Sequence, residues 1–520
     1  RTFVGKLFAL AAHSLLHQSE PPRPIHSVSK ITMANASLTN SRTADPLLQP
    51  FAIRHLKLKN RVFSTSHEPG YSENGMPTGR YQRYHIEKAK GGIAMTMIAG
   101  SAVVSADSPQ AFGNLLAYKD EIVPHLKTLV DGCHDHDCKV MIQITHLGRR
   151  TNWHKADWLP VIAPSAVREE AHRAFPKVME EWDIERVIQD FVDTAVRMKA
   201  SGMDGIELMM HGHIVDSFWS PGTNKRDDRW GGSLDNRMRF SLAIIDRVRA
   251  AVGSDFIVGA RIAGDEDWDL GISRQEGIEI CQRVAATGKI DFLNVNRGNI
   301  RTEDALAYLI PIMGTKSAPH LEYATAVKAA TRFPVLHAGR IADIATARHA
   351  IAEGKIDMVA MTRAHIADPH IVNKIKAGEE ARIRPCVGAT YCLDRLYEGH
   401  EALCIHNPAT SREATMPHVI AKAKAKRHIV IAGAGPAGLE AARVAAERGH
   451  KVTVFEAAKE AGGQVRLIAR VKRRAEMIGV IDWRLAECDR LGVEFHYNTL
   501  AEAEDLTALR PDVVIVATGG

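Results

Sequence analysis

The residues with the most specific chemical pattern are three glycines in the last hundred residues. Gly433, Gly435 and Gly438 follow a short apolar run and open a helical pattern, and a second apolar run over residues 451–455 ends at Glu456. The first glycine permits a tight turn, the second lets the backbone approach a pyrophosphate, and the third allows close helix packing. The helix N-terminus would face the phosphate, and Glu456 could accept hydrogen bonds from a ribose. The pattern predicts a Rossmann-like nucleotide-binding fold.

Two signals further along favour FAD or an ADP-like nucleotide in that fold. The sequence Gly462-Gly463-Gln464 follows the second apolar run, and residues 513–520 read VVIVATGG. Together they favour an FAD-type, disulfide-reductase-like domain over a plain dehydrogenase. We expect residues 426–520 to be the first, incomplete part of that domain.

Three of the seven cysteines are clustered, at Cys386, Cys392 and Cys404. Clustered thiols in a chain otherwise poor in cysteine indicate a metal or redox site and a reducing compartment. We therefore expect a metal or redox site at these cysteines and a cytoplasmic location.

Polar residues at the ends of apolar runs indicate a second cofactor site. Arg340 follows the seventh of eight apolar runs, at residues 334–337, and Arg363 follows the eighth, at residues 358–361. Gly339 directly precedes Arg340. A glycine with two guanidinium groups suits a phosphomonoester, although an arginine at a strand end can also form a surface ion pair. Gln143 lies in the apolar run at residues 140–145, and Arg261 lies in the run at residues 257–262. Both could bind the uracil-like edge of a flavin.

Two histidines after the fourth run are candidate catalytic residues. His211 and His213 flank Gly212. An imidazole with a pKa near neutrality can give or take a proton, or hold a carboxylate once protonated. Asp265, four residues after Arg261, is a further candidate. If a neutral histidine assists an oxidation, the rate should rise with pH through the imidazole range.

These residues need a scaffold that brings strand ends together, and the sequence provides one. Eight apolar runs alternate with amphipathic helical patterns, such as residues 184–200 and 237–252, which is typical of parallel strands buried on both faces. Eight units in about 325 residues favour a (β/α)8 barrel over an open doubly wound sheet, with active residues at the carboxyl ends of the strands. The runs are residues 61–65, 93–98, 140–145, 205–209, 257–262, 292–295, 334–337 and 358–361. We therefore predict an α/β protein with a TIM barrel at 48–375, a cysteine-containing connector at 376–425 and the Rossmann-like domain after it.

Composition excludes several other classes of protein. The chain has 520 residues, 45% hydrophobic and 25% charged, with a net charge of +6. It is neither a disordered chain, a collagen-like fibre nor a small disulfide scaffold, and it has no apolar run of membrane-spanning length. The basic run at residues 421–427 suits a solvated linker better than a nucleic-acid or membrane patch. We expect no nucleic-acid or membrane partner.

The ends of the chain carry a separate expectation. The sequence begins at Arg1, and Met33 precedes the first patterned segment. We expect residues 1–47 to be an extension without fixed structure, either translated upstream sequence or a targeting peptide, and the chain to be a fragment.

The barrel motifs resemble those of the Old Yellow Enzyme family. The resemblance rests on Asn60-Arg61, Gln143 to Arg149, Ala163-Pro164-Ser165, Asp204 to Glu207, Asn224 to Ser233, and Asp368-Pro369. With the cysteines and the glycine-rich domain, the chain resembles the iron–sulfur branch, which includes trimethylamine dehydrogenase, 2,4-dienoyl-CoA reductase and dimethylglycine or N-methylproline demethylases. The resemblance implies FMN in the barrel, held by Gln143, Arg261, Gly339, Arg340 and Arg363.

The resemblance also implies a 4Fe–4S cluster, with one departure. Cys386, Cys392 and Cys404 match the first, third and fourth ligands of the family, whereas Ala389 stands at the second. Four thiolates normally complete such a cluster. The cluster could take an exogenous ligand or a donor from Tyr391, Asp394 or His406, or the three cysteines could be structural thiols.

The function implied is an FMN-dependent oxidoreductase that transfers hydride between a substrate carbon and the flavin, with an iron–sulfur electron relay. Counted back from Phe218, His211 falls at the substrate-site histidine of the family, and His213 stands where reductases carry a tyrosine. This favours oxidative N-demethylation of a small methylated amine. The alternative is NAD(P)H-dependent reduction of an activated alkene, and a redox-inactive scaffold would leave the flavin residues without a role. We expect a small-molecule substrate, NAD(P)H or an electron-transfer protein as partner, and a homo-oligomer.

Overall fold

The computed structural model describes residues 45–108, 110–151 and 159–519. The expected N-terminal extension therefore lies outside the described residues, apart from positions 45–47. Asp45 caps a short 3-10 helix, Pro46–Leu48, and the amide N of Leu47 donates to its carboxylate.

Eight parallel strands close into a barrel, which confirms the predicted fold. Their bounds are β1 Val62–Ser64, β2 Met95–Val103, β3 Lys139–Thr145, β4 Gly205–Met210, β5 Ile257–Ala263, β6 Phe292–Asn296, β7 Val335–Ala338 and β8 Met358–Ala360. The ring order is β6-β7-β8-β1-β2-β3-β4-β5, so every strand pairs with its sequence neighbours and β8 pairs with β1. The strands are almost wholly buried because helices cover the outer face and side chains fill the interior.

Strand β2 differs most from its predicted bounds, because it continues five residues beyond Ile98. Its pairing with β3 shifts register between Ile98 and Ala102, and Ala99 and Ser101 have positive φ angles of 54° and 79°. A bulge of this kind re-aims side chains locally and is frequent beside active sites. Here it turns Ser101 towards the barrel mouth.

Helices surround the barrel and join its strands. The two amphipathic patterns named above form Glu181–Ala200 and Leu234–Val252. The other helices up to the connector are Gly79–Lys90, Ile122–His134, Ile214–Trp219, Arg274–Ala286, Glu303–Leu309, Leu321–Thr331, Ile344–Ala352, Thr362–Ala367 and Ile371–Ala377.

A two-stranded hairpin closes the amino end of the barrel. Phe51–Ile53 pairs antiparallel with Leu56–Leu58, and its apolar side chains pack against Met95, Met141 and other residues from the beginnings of the barrel strands. The carboxyl ends of the strands are left as the end at which a ligand can enter.

The chain then forms a short connector and a second, smaller sheet. The connector contains the 3-10 helix Glu380–Arg382 and the helix Tyr391–Tyr397. The sheet has the parallel order β11-β10-β9-β12, with β9 His428–Ala432, β10 Lys451–Phe455, β11 Glu494–His496 and β12 Val513–Val516. Its helices are Pro436–Glu447, Gln464–Ala469, Gly479–Arg490 and Ala503–Ala508, with the 3-10 helix Lys472–Ile478 between the second and third. This arrangement confirms the predicted Rossmann-like fold.

The three glycines of the turn after β9 have the properties that the pattern predicts. Gly433 has a φ of 98°, and a Cβ there would clash with the carbonyl of Ala517. A Cβ on Gly438 would clash with the carbonyl of Gly433, whereas a Cβ on Gly435 would meet no atom within 4 Å. Gly435 therefore leaves open space in front of the helix Pro436–Glu447, where a phosphate can approach.

Among the described residues, no helix combines the length and the apolar character needed to cross a membrane.

Candidate flavin site and catalytic centre

A cavity of about 990 Å³, its open mouth included, lies at the carboxyl ends of the barrel strands. Four of the predicted flavin residues line it: Arg261, Gly339, Arg340 and Arg363. Strands β5, β7 and β8 thus bring three guanidinium groups to one cavity, although Arg261 and Arg363 are 102 positions apart in the sequence.

The two predicted phosphate ligands differ in what their guanidinium groups already contact. Arg340 lies in the left-handed region, with φ 52°, and its Nη2 lies 2.6 and 2.7 Å from the carboxylate oxygens of Glu476 in the second sheet's domain. The Nη2 of Arg363 donates to the carbonyl of Pro311 at 2.8 Å, but its buried Nη1 has no partner in the described part of the chain. Arg363 therefore retains a donor for an anion, whereas the side chain of Arg340 is already neutralised.

We call the side chains of Ser66, Gln143, Glu207 and Asn294 the floor of the cavity. They are joined by hydrogen bonds to the carboxylate of Glu207, which was not predicted as a site residue. Glu207 on β4 is fully buried and accepts hydrogen bonds from Gln143 Nε2 and Asn294 Nδ2, both at 2.6 Å, and from the Ser66 hydroxyl at 3.1 Å. The sequence places it in one of the family motifs, Asp204 to Glu207, as an acid inside an otherwise apolar strand.

Gln143 and Arg261 are both held by this floor. The Oε1 of Gln143 accepts from the Ser101 amide at 3.1 Å, and its side chain does not line the cavity as the structure stands. Arg261 donates to the Thr65 hydroxyl at 3.0 Å, and burial lowers its pKa while the charge of Glu207 opposes that shift. A buried guanidinium with a carboxylate nearby but not in contact is suited to a polar, electron-rich ligand edge.

The predicted catalytic histidines lie next to this floor. His213 is 8% exposed, and its Nε2 is 2.9 Å from the Ser101 hydroxyl. Burial lowers the pKa of His211 to about 3, and the charges of Arg261 and Arg150 act in the same direction. Burial likewise holds the pKa of His213 well below its ordinary value. Both imidazoles are therefore neutral at physiological pH.

Asp265, the third catalytic candidate, is already engaged. Its Oδ2 accepts from Arg297 Nε at 2.7 Å and its Oδ1 from the amide of Asp267 at 3.1 Å. Both of its carboxylate oxygens are therefore occupied by donors of the protein.

A second cavity adjoins His213 and contains ionisable groups that the sequence reasoning missed. Arg150, Asp216 and Glu266 line it together with His213. Burial raises the pKa of Asp216 to about 6 and that of Glu266 to about 7, and the charge of Asp216 contributes to the second shift. Asp216 lies in an apolar segment and Glu266 in the acidic run Asp265 to Asp267, and neither was predicted as a site residue.

The three clustered cysteines line one further cavity, together with Ala389. Burial raises the pKa of Cys392 to about 12, and the charges of Cys386 and Cys404 act in the same direction. Tyr391 and His406 also line this cavity, whereas Asp394 is not among the described residues that do. Over residues 45–108, 110–151 and 159–519, no group of three or more His, Cys, Asp or Glu side chains is close enough to hold a metal ion.

The nucleotide-binding candidate Glu456 is partly occupied by the backbone. Its carboxylate oxygens accept from the amides of Ala434 and Ala458, both at 2.8 Å. It thereby fixes the turn that contains Gly433 and Gly435.

The residues of the barrel cavity fit an FMN group. The unpartnered Nη1 of Arg363 and the buried Arg261 offer donors to a phosphate and to a polar ring edge, and Thr65 and Gly339 lie between them in the lining. FMN requires this combination of an anion site and an amide-like edge site.

Comparison with known proteins agrees with this geometry. Residues 46–382 match the NADH:flavin oxidoreductase / NADH oxidase family, and residues 431–480 match an NAD(P)-binding Rossmann-like domain. A probable N-methylproline demethylase of Rhizobium meliloti is 60% identical over 476 residues, which cover 92% of this chain and 70% of the relative. A multifunctional alkene reductase/demethylase of Caballeronia cordobensis is 50% identical over 479 residues, with 92% and 70% covered.

A solved structure shows the same fold over most of the chain. The complex of 2-naphthoyl-CoA reductase with 2-naphthoyl-CoA superposes with a TM-score of 0.86 at 28% identity, covering 92% of this chain and 74% of the other. The chain therefore belongs to the NADH:flavin oxidoreductase / NADH oxidase family and is a flavin-dependent oxidoreductase.

Proposed function

We propose that this protein oxidatively removes a methyl group from a small methylated amine. FMN, when bound in the barrel cavity, supplies the two-electron acceptor for this chemistry. A hydride leaves the methyl carbon of the substrate while the nitrogen lone pair forms a C=N bond. Water then adds to the resulting iminium, which breaks down to formaldehyde and the demethylated amine.

The observation that carries the proposal is the neutrality of the two buried histidines. An amine must lose its proton before its lone pair can form the C=N bond. A buried neutral imidazole accepts a hydrogen bond but does not supply a proton, so His211 and His213 favour binding of the unprotonated amine. Reduction of an alkene instead needs a group that gives a proton to carbon, and an imidazole whose pKa lies far below 6 is almost never protonated at neutral pH. The sequence similarity to the relative called a probable N-methylproline demethylase supports the same direction.

The path by which electrons leave the barrel cavity is a second part of the proposal. Cys386 and Cys392 line both the barrel cavity and the smaller cavity that contains Cys404. In the described part of the chain the three thiols are not close enough to share a single metal ion, and we propose that they would instead hold a cluster of several irons and sulfides next to the flavin. We also propose that the Rossmann-like domain binds FAD or an ADP-like nucleotide. Small-molecule oxidation in the barrel would then be coupled to a nucleotide or an electron-transfer protein.

Anaerobic mixing of the flavin-loaded protein with N-methylproline or N,N-dimethylglycine tests the function. We expect the flavin absorbance to bleach, and His213→Gln to slow bleaching by about 100-fold, the lower end of general acid–base effects. Because both imidazoles are neutral, the rise in rate that was expected through the imidazole range should move to more acidic pH. Bleaching by NAD(P)H, followed by reoxidation on adding an enoate but not by an amine, would overturn the proposal.

That result would instead support the alternative, reduction of an activated alkene. The observation in its favour is the 50% identical relative, whose name combines alkene reduction with demethylation.

A further inference from the structure

The cavity beside His213 contains three arginines, and they differ in how their charge is balanced. Arg301 is paired with Glu170 and stacks over Trp268, with its guanidinium carbon 3.8 Å from the ring centre. Arg149 donates to the carbonyls of Val167 and Arg168, and the charges of Glu169, Asp216 and Glu266 all raise its pKa against the effect of burial.

Among the residues that the structure describes, Arg150 has only neutral hydrogen-bond partners. It is 6% exposed, its Nη1 donates to the carbonyl of Ile300, and its Nη2 donates to the Tyr397 hydroxyl at 3.0 Å. In the described part of the chain, no carboxylate lies within 4.0 Å of it. Buried charges in proteins are normally paired, because removing a guanidinium from water is costly. Arg150 is therefore a buried cation that has no paired carboxylate in the described part of the chain.

The carboxyl groups that share the cavity are held by other partners. Asp216 accepts from the amides of Gly212 and His213, and Glu266 accepts from the Ser220 hydroxyl at 2.6 Å and the Ile272 amide at 2.7 Å. Glu169 lies near enough for the charge of Arg150 to lower its pKa, but its carboxylate accepts from the amide of His172.

The position of Arg150 relates it to the reacting centre. Its charge lowers the pKa of both His211 and His213, and the charge of Arg261 at the flavin floor lowers that of His211 as well. The histidines thus lie within electrostatic reach of Arg150 and of the flavin floor alike. Tyr397, one of the partners of Arg150, packs against Phe112 with ring centres 4.9 Å apart.

We propose that Arg150 binds the carboxylate of the substrate, so that the protein selects N-methylated amino acids over methylated amines that lack a carboxylate. This inference rests on the proposed demethylation. A guanidinium binds a carboxylate through charge-assisted hydrogen bonds, which set both affinity and orientation. The carboxylate at Arg150 would place the substituted nitrogen towards the histidines.

The test compares N-methylproline with N-methylpyrrolidine, which lacks the carboxylate, in anaerobic flavin bleaching by the holoenzyme. We expect Arg150→Met to raise the apparent Kd for N-methylproline by about 100-fold, and to change the apparent Kd for N-methylpyrrolidine by less than about threefold. Arg150→Lys should recover part of the affinity, since a point charge remains without the planar fork. Arg301→Met, in the same cavity but already neutralised by Glu170, is the matched control.

Equal losses in the Arg150 and Arg301 variants, or equal losses for both substrates, would overturn the assignment. Binding of tetrahydrofuran-2-carboxylate, which has no amine to oxidise, separates this inference from the proposed function. The wild-type protein should bind it, by its flavin difference spectrum, at least 30-fold more tightly than the corresponding carboxamide. No preference for the carboxylate in wild-type protein would overturn the inference, even if Arg150→Met does not fold. Binding of the carboxylate without bleaching by any amine would count against the demethylation alone.

Discussion

Arg340 and Arg363 were predicted from sequence as equal partners of the flavin phosphate, and the structure predicts that they are not equal. The Nη1 of Arg363 is buried without a partner, whereas the guanidinium of Arg340 contacts both carboxylate oxygens of Glu476 and the carbonyl of Thr315. A hydrogen bond to a charged group contributes about 1.5 to 3 kcal/mol. Since about 1.4 kcal/mol changes a dissociation constant tenfold, Arg363→Met should weaken FMN binding by about 10- to 100-fold.

Arg340→Met is the matched variant, with the same loss of charge at the same cavity. It should change the Kd for FMN by less than about threefold and should instead loosen the contact with the helix that carries Glu476. The assay is reconstitution of the flavin-free protein, followed by quenching of flavin fluorescence, with Glu476→Gln as a check on the second effect. Arg340→Met that loses as much FMN as Arg363→Met would refute the reasoning, as would a fully yellow Arg363→Met protein.

Two further predictions concern the floor of the flavin cavity and the cysteines. Glu207→Gln should place an amide donor against Gln143 and Asn294, lower the free energy of unfolding in urea by about 3 kcal/mol, and weaken flavin binding. Asp291→Asn, which disturbs Arg249 and the Val258 amide at the other end of the barrel, should destabilise the fold but leave the flavin bound, and equal flavin loss in both variants would contradict this role for Glu207. Anaerobically purified protein should contain iron and acid-labile sulfide, Cys392→Ser should lose both, and Ala389→Cys should make the iron more resistant to air. Protein with full FMN but without iron or sulfide would identify the three cysteines as structural thiols.

The fold could be predicted from the sequence because its signals are local. Each barrel strand is an apolar run bounded by polar residues, and each intervening helix has its own periodicity, so the eight units could be counted without tertiary information. The turn after β9 was equally predictable from its glycines, since Gly433 and Gly438 are positions where a Cβ would clash with nearby backbone. The one substantial difference, the extension of β2 to Val103, depends on a bulge that only its pairing with β3 defines.

The candidate site was less predictable because the chemistry of a polar residue depends on its partners. The histidines were located from sequence, but their neutrality follows from burial and from the charges of Arg150 and Arg261, which lie about 50 or more positions away in the chain. Glu207 belongs to a family motif and Glu266 lies in an acidic run between Asp265 and Asp267, and neither context shows that the carboxylate is buried among hydrogen-bond donors.

Arg149 and Arg150 show most directly what the sequence does not contain. They are adjacent and identical in type, and only Arg149 belongs to the motif by which the family resemblance was identified. In the fold, the charges of three carboxylates act on Arg149, whereas the described hydrogen-bond partners of Arg150 are a carbonyl and a phenol. A buried guanidinium without a paired carboxylate is costly unless a ligand supplies the anion, so on the proposed assignment the residue outside the motif is the one that selects the substrate.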